Sequence, residues 1–205
     1  MFSIQDAFSR GWTIFKENIG LLLGVHVIAL CIEILPQFLL GDSPGVKAVV
    51  VISSLLLTFV TALGLVRIGL NLVDGEDADL ADLFSCAHLV FKYLIASVLH
   101  GILILVGILL LIVPGLIWAA QFSQWPYLMV EHEMGPIEAM KESSRITRGT
   151  RGKLILLYFA MILLVILGVA AVLVGVVVAY AVTTVVGATV YREILANQPN
   201  AEAAS

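Results

Sequence analysis

V-P-G-L-I-W-A-A-Q-F-S-Q-W-P-Y-L-M-V-E-H-E-M-G-P-I-E-A-M-K-E-S-S-R-I-T-R-G-T-R-G-K, residues 113 to 153, decides the fold. An apolar run is interrupted by Pro114-Gly115, continues through aromatic and amide side chains to Glu131-His132-Glu133, and gives way to basic residues at helical spacing. Proline removes a helix hydrogen bond and glycine permits a turn, so Pro114-Gly115 marks a hairpin between two membrane spans. Gly135-Pro136 opens a further helix, because proline suits a first turn, and Gly149 ends it.

On that helix Ile137, Met140, Ser144 and Thr147 form a stripe expected to face the membrane, and Lys141, Arg145 and Arg148 stand on the other faces, continued by Arg151 and Lys153. Five cations against Glu138 and Glu142 leave a local balance of +3. Two readings of such a segment stay open here. It anchors orientation, in company with the acidic stretch 74–82, or it contacts anionic lipid headgroups or a partner protein, membrane-bound or cytoplasmic.

Composition places the whole chain in the same class. Of 205 residues 60% are hydrophobic and only 13% charged, with a mean hydropathy of +1.07. That is too little polar surface to cover a soluble globule, so an all-α polytopic membrane bundle is expected. The formal charge of -4 says little, because the side on which each charge lies matters more than the sum. Cys31 and Cys86 fall in an apolar span and an acidic segment, and no disulfide framework is expected.

Working outward to the N-terminus, residues 2–18 read as an amphipathic helix on the membrane surface. Ser3 and Asp6 suit its start, Ile4, Ala7, Phe8, Gly11 and Phe15 form its apolar stripe, and Trp12 flanks it. The first charges are of mixed sign and no small-x-small cleavage site follows, so the segment is expected to be retained. Residues 19–40 form the first span, about 33 Å long against a hydrocarbon core of about 30 Å. His26, Glu33 and Gln37 share one stripe of it. A G-D-S-P-G turn at 41–45 leads to the second span, 46–71, which holds Ser53, Ser54, Thr58 and Thr61. In the acidic interlude that follows, Leu80, Leu83, Phe84, Ala87 and Phe91 keep helical spacing, which predicts a second surface helix with the carboxylates at its N-terminal end.

Spans three and four are expected at 93–113 and 115–131. Residues 154–191 would run roughly 57 Å as one helix, nearly twice the core, so they must fold back between 168 and 175 into spans 154–173 and 175–195. In the last of these Gly175, Ala179, Thr183 and Gly187 make a small-residue stripe for close helix packing. The result is one six-span domain over 1–196 with amphipathic cytoplasmic surface helices, followed by a disordered tail, 197–205. Both termini in the cytoplasm put Arg10, Lys16, Arg67, Lys92, Lys141, Arg145, Arg148, Arg151, Lys153 and Arg192 inside and Lys47 alone outside. The polar residues then fall in two layers, Glu33, Ser53, Ser54 and Gln121 in the outer half and His26, Thr61, His100 and Gln124 in the inner half. Glu33 should face the bundle interior.

P-G-L-I-W at 114–118, Trp125-Pro126, Glu131 and the segment with Gly135, Ala139, Ser143, Thr147 and Gly149 resemble the YciC-like family of bacterial inner-membrane proteins, whose function is poorly defined. A similar domain precedes some membrane glycerophosphodiester phosphodiesterases. A-D-L-F at 81–84 and A-T-V-Y-R at 188–192 extend the resemblance over nearly the whole chain. It departs at Gln121, where many relatives carry arginine. The resemblance implies a fold and an inner-membrane (plasma-membrane) address, not a reaction.

No G-x-S-x-G, H-E-x-x-H or glycine-rich phosphate loop occurs, and no aromatic-basic surface suited to nucleic acid. Glu131-His132-Glu133 lacks further ligands at metal-binding spacing, and D-G-E-D-A-D at 74–79 lacks a calcium-loop register. No catalytic residue, metal or cofactor is expected. The function expected is a non-catalytic membrane module that engages lipids or a partner protein through its cytoplasmic helices. The alternative is a small-solute or ion transporter whose pathway uses His26, Glu33, His100, Gln121 and Gln124; an integral-membrane enzyme ranks third.

Overall fold

A computed structural model describes residues 3–39, 43–170 and 172–198. Residues 40–42 of the first expected turn, residue 171 of the last and 199–205 of the expected tail lie outside these, as does the side chain of Gln37. Among the described residues the chain is all helix: α1 Ile4–Glu17, α2 Ile19–Leu39, α3 Pro44–Asp74, α4 Val90–Leu110, α5 Ile112–Gln121, α6 Trp125–His132, α7 Pro136–Ile146, α8 Arg151–Ala170 and α9 Val172–Ala196, with two short 3-10 turns before α4. Five segments are long and apolar enough to cross a membrane: 19–36, 45–74, 80–110, 151–169 and 175–196.

Helix α9 is the axis of the bundle. In its segment 175–196, 56% of residues are buried, against 11% to 28% in the other four, whose outward faces carry a belt of exposed Val, Leu, Ile and Phe. α1, α2, α3 and α8 all pack on α9. Small residues let them close in. A Cβ on Gly168 of α8 would lie 2.6 Å from the Gly175 carbonyl oxygen, and one on Gly11 of α1 would lie 2.5 Å from Val186 Cγ2. The apolar stripe of α1, with Ala7, Gly11, Ile14 and Phe15 buried, is therefore spent on α9, while Trp12 remains 47% exposed.

The hairpin expected at Pro114-Gly115 turns earlier, at Leu111, which is extended with φ -171° and ψ 148°. Pro114 falls in the first turn of α5, where its missing N–H breaks no helix bond. Gly115 serves closeness instead: a Cβ there would meet Ile108 Cγ1 at 2.6 Å, and one on Gly107 would meet the Gly115 Cα at 2.8 Å. The expected span 115–131 is two helices, α5 and α6, broken at 122–124. The second surface helix expected from Leu80 is two 3-10 turns, Leu80–Phe84 and Ala87–Leu89. Asp79 accepts the Leu80 N–H at 2.6 Å and Asp82 the Asp79 N–H at 2.9 Å, a reciprocal cap that starts a tight turn. The turn presses so closely on α3 that a Cβ on Gly64 would lie 2.0 Å from the Leu83 carbonyl oxygen, leaving Leu83 1% exposed.

Charge collects at one end of the bundle. Arg192 near the end of α9 pairs with Asp74, the last residue of α3, and with Glu131 of α6. Arg10 donates to the Val73 carbonyl at 3.2 Å and Lys92 to the Glu133 carbonyl at 3.1 Å. The first residues of α3, α5 and α9 consequently belong to the opposite end.

Candidate functional site: a basic cleft beside a broken helix

The break between α5 and α6 follows from Pro126. In a continuous helix its ring would clash with the carbonyl of Phe122 and it could donate no hydrogen bond. The Trp125 N–H donates to Phe122 at 3.4 Å instead, which leaves the Gln121 carbonyl and the Gln124 N–H without helical partners. α7 supplies them. Ser143 Oγ accepts the Gln124 N–H at 3.0 Å and donates to the Gln121 carbonyl at 3.1 Å. Thr147 Oγ1 lies 3.0 Å from the same carbonyl and 2.8 Å from that of Ser143, its one hydrogen serving either. Ala139, Ser143 and Thr147 are each 0% exposed, so their spacing is the docking edge of α7.

The expected membrane-facing stripe of α7 is corrected accordingly. Met140 and Thr147 are buried against the protein, whereas Ile137 is 61% exposed. Gly149, at φ 82°, makes the left-handed turn into α8, three residues beyond the last residue of α7.

The outer face of α7 borders an open cleft of about 920 Å³. Lys141, Arg145 and Arg148 line it with Glu138 and Glu142; Phe122, Met134 and Ile137 supply apolar wall, and Gln121 and Ser144 its polar remainder. Gln121 Nε2 donates to Ser144 Oγ at 2.7 Å. Arg145 grips Glu142 through Nε at 2.8 Å and Nη2 at 2.5 Å, and donates from Nη1 to Gln198 Oε1 at 3.3 Å. The hydrogen bond from Arg145 holds the Glu142 carboxyl below the usual carboxylate range. Lys141 and Arg148 have no ion-pair partner among the described residues. Of the five expected contact residues, the cleft thus gathers Lys141, Arg145 and Arg148; Arg151 and Lys153 do not line it. Arg151 Nε is buried without a partner.

The acidic stretch does not pair with this helix. Asp74 accepts Arg192 Nε at 2.8 Å and Nη2 at 2.5 Å, Glu131 accepts Arg192 Nη1, and Tyr191 donates to Glu131 at 2.5 Å. His132 Nε2 stays 3.6 Å from Glu131 Oε2, whereas Glu133 turns to His88 at 3.3 Å. Among the described residues no three His, Cys, Asp or Glu side chains gather to hold a metal ion. Sequence reasoning missed the Arg192 cluster; the one signal for it was an arginine and an aspartate at helix ends facing the same way.

Of the polar residues expected inside the bundle, His26, Glu33, His100, Gln121 and Gln124 reach another helix. Among the described residues, Ser53 and Thr61 donate only within α3, and Ser54 Oγ is buried without a partner. His26 Nε2 lies 3.2 Å from Thr184 Oγ1 and its Nδ1 2.7 Å from the Leu22 carbonyl. Thr58 Oγ1 donates to Glu33 Oε1 at 2.9 Å. His100 Nδ1 accepts the Trp125 Nε1–H at 3.2 Å, while its Nε2 is buried without a partner. Gln124 Nε2 donates to Ser123 Oγ at 3.0 Å and, at 3.5 Å, to Tyr158 Oη of α8, and its Oε1 is left unpaired. Among the described residues, their bonds join none of the four residues of either expected layer to another member of that layer, and neither Glu33 nor His26 lines the basic cleft.

No protein-family model, curated protein or solved structure matches this chain.

Proposed function

We propose that this chain is a six-crossing inner-membrane module, with both termini cytoplasmic, that engages lipid headgroups at the cleft along α7. α5 and α6 together form the fourth crossing. A break in a membrane helix is tolerated where neighbouring protein satisfies the freed backbone groups, as Ser143 and Thr147 do for Gln121 and Gln124. The charged end is the cytoplasmic one by the positive-inside rule, with Lys47, in the first turns of α3, at the other end. The resemblance to the YciC-like family agrees with this reading, because Ala139, Ser143 and Thr147 of the resembling segment are buried where α7 docks.

One observation carries the lipid reading. Lys141 and Arg148, uncommitted cations, share a cleft with the apolar side chains of Phe122, Met134 and Ile137. That pairing suits a molecule with a phosphate at one end and acyl carbon at the other, and each cation near an anionic headgroup contributes about 1 kcal/mol. The test is native mass spectrometry of the full chain in mild detergent. Lys141→Gln/Arg148→Gln should lose phospholipid that the wild type retains, more so at low salt. Equal retention by both proteins rejects the reading, and capture of a protein instead of lipid points to a partner site.

Topology is tested separately, in a background with Cys31→Ala and Cys86→Ala. A cysteine at exposed Ser43 should react with an impermeant thiol reagent on intact cells, and one at exposed Glu76 only after the membrane is opened. The opposite order rejects the orientation.

A further inference from the structure

Resting on the headgroup reading, we propose that the cleft selects a zwitterionic headgroup carrying a phosphodiester and a primary ammonium, as in phosphatidylethanolamine, over one that is anionic only. The observation behind this is that carboxylates line the same cleft as the cations. A site for a purely anionic headgroup would repel its ligand with every glutamate it displayed. Here there are two, Glu138 and Glu142.

Glu142 is already engaged by Arg145, so these two charges cancel where they stand. What remains uncommitted is Lys141 and Arg148 against Glu138. Glu138 makes only a long contact, Oε2 to the Gly135 N–H at 3.5 Å, and its other oxygen is free for a ligand. A phosphodiester matches the two cations, and an ammonium with three N–H donors matches the carboxylate. The neutral pair between them has the same polarity. Gln121 Nε2 donates to Ser144 Oγ, so the Ser144 O–H is left to donate to a phosphate oxygen and Gln121 Oε1 to accept from an ammonium. A trimethylated ammonium has no N–H for either acceptor, and a glycerol headgroup brings no cation to offset Glu138.

The experiment offers the purified full chain in mild detergent equimolar phosphatidylethanolamine, phosphatidylglycerol and phosphatidylcholine with matched acyl chains, read by native mass spectrometry. Wild type should retain phosphatidylethanolamine over each of the others by about fivefold, the value of one charge contact. Glu138→Gln keeps an oxygen acceptor for the Gly135 N–H, so α7 should stay capped while the preference over phosphatidylglycerol disappears. Phosphatidylglycerol retained as well as or better than phosphatidylethanolamine, or a preference untouched by Glu138→Gln, overturns the selectivity and leaves the headgroup reading standing. Retention that does not distinguish the lipids and does not change in Lys141→Gln/Arg148→Gln overturns both.

Discussion

The Ser143 hydroxyl accepts the backbone N–H of Gln124 at 3.0 Å, across the junction between α7 and the break that separates α5 from α6. Its own hydrogen goes to the Gln121 carbonyl at 3.1 Å, so one side chain serves both groups that the break releases. Buried backbone groups left unpaired cost about 1–3 kcal/mol each, more than a hydrogen bond contributes when made. This arithmetic makes α7 a structural part of the membrane bundle and fixes the floor of the cleft at its outer face.

Ser143→Ala should therefore destabilise the protein by about 1–3 kcal/mol, from the freed Gln124 N–H, since Thr147 Oγ1 still reaches the Gln121 carbonyl. Ser144→Ala, one residue on and half-exposed, should cost less than about 1 kcal/mol, since it removes only the Gln121 side-chain contact. Thermal unfolding of both variants in one detergent measures the difference. Equal losses would show that the break does not depend on α7.

A second outcome concerns the α4–α5 hairpin. Gly107→Ala places a methyl 2.8 Å from the Gly115 Cα and 3.0 Å from Trp118 Cε3, where backbone must move. Gly101→Ala, on the same helix with nothing within 4 Å of the new methyl, should be neutral or stabilising, by up to about 1 kcal/mol from helix propensity. Opposite signs for the two substitutions are expected in a thermal-stability assay. A neutral Gly107→Ala would mean that the close approach of Gly107 and Gly115 is not required.

These particulars mark what the sequence can carry. Apolar run lengths made the long helices legible, and proline with glycine made the 93–131 run legible as a hairpin. The turn itself was placed three residues too late, because Pro114 is as acceptable in a helix's first turn as in the link before it. Pro126 was visible too, but its effect depends on whether another helix can receive the freed carbonyl, and Ser143 and Thr147 lie on a different helix. Lys141, Arg145 and Arg148 were legible as cations of one helix, but within a group of five whose Arg151 and Lys153 do not line the cleft. Their division into engaged Arg145 and free Lys141 and Arg148 was not, since it rests on side-chain geometry around Glu142.

The Arg192 cluster yields an asymmetry that can be measured. Arg192 serves two carboxylates, Asp74 and Glu131, with its side chain 26% exposed. Arg192→Gln leaves both acids facing each other's field, whereas Asp74→Asn leaves Arg192 still paired with Glu131. The first should cost about 2 kcal/mol, between the ~0–1 kcal/mol of an exposed pair and the ~3–5 kcal/mol of breaking a buried one, and the second less than half of that. Unfolding of the two variants at low salt decides it. Equal costs would show that Glu131 contributes nothing to holding α3, α6 and α9 together.

The final expectation concerns Glu142, which sets how much positive charge the cleft presents. Its carboxyl is held below the usual range chiefly by the hydrogen bond from Arg145. A depressed carboxyl keeps its pairing as pH falls through the ordinary carboxylate range, near about 4.3, and loses it only at its own lower value. At neutral pH, then, the Arg145–Glu142 pair presents no net charge, and the double change Arg145→Gln/Glu142→Gln should alter retention of anionic phospholipid far less than Arg148→Gln. Glu142→Gln should release Arg145 and raise retention of phosphatidylglycerol about fivefold, the value of one added cation, with the gain shrinking as salt rises. Acidification should bring the wild type up towards the variant only below the ordinary carboxylate range, because the phosphodiester keeps its charge while Glu142 is protonated. Lipid titrations of wild type, Glu142→Gln, Arg145→Gln/Glu142→Gln and Arg148→Gln, at neutral pH and at about pH 3.5, below the ordinary range, separate the possibilities. If the double change Arg145→Gln/Glu142→Gln weakens binding as much as Arg148→Gln, Glu142 does not hold Arg145 out of the site, and all three cations of the cleft act on the headgroup together.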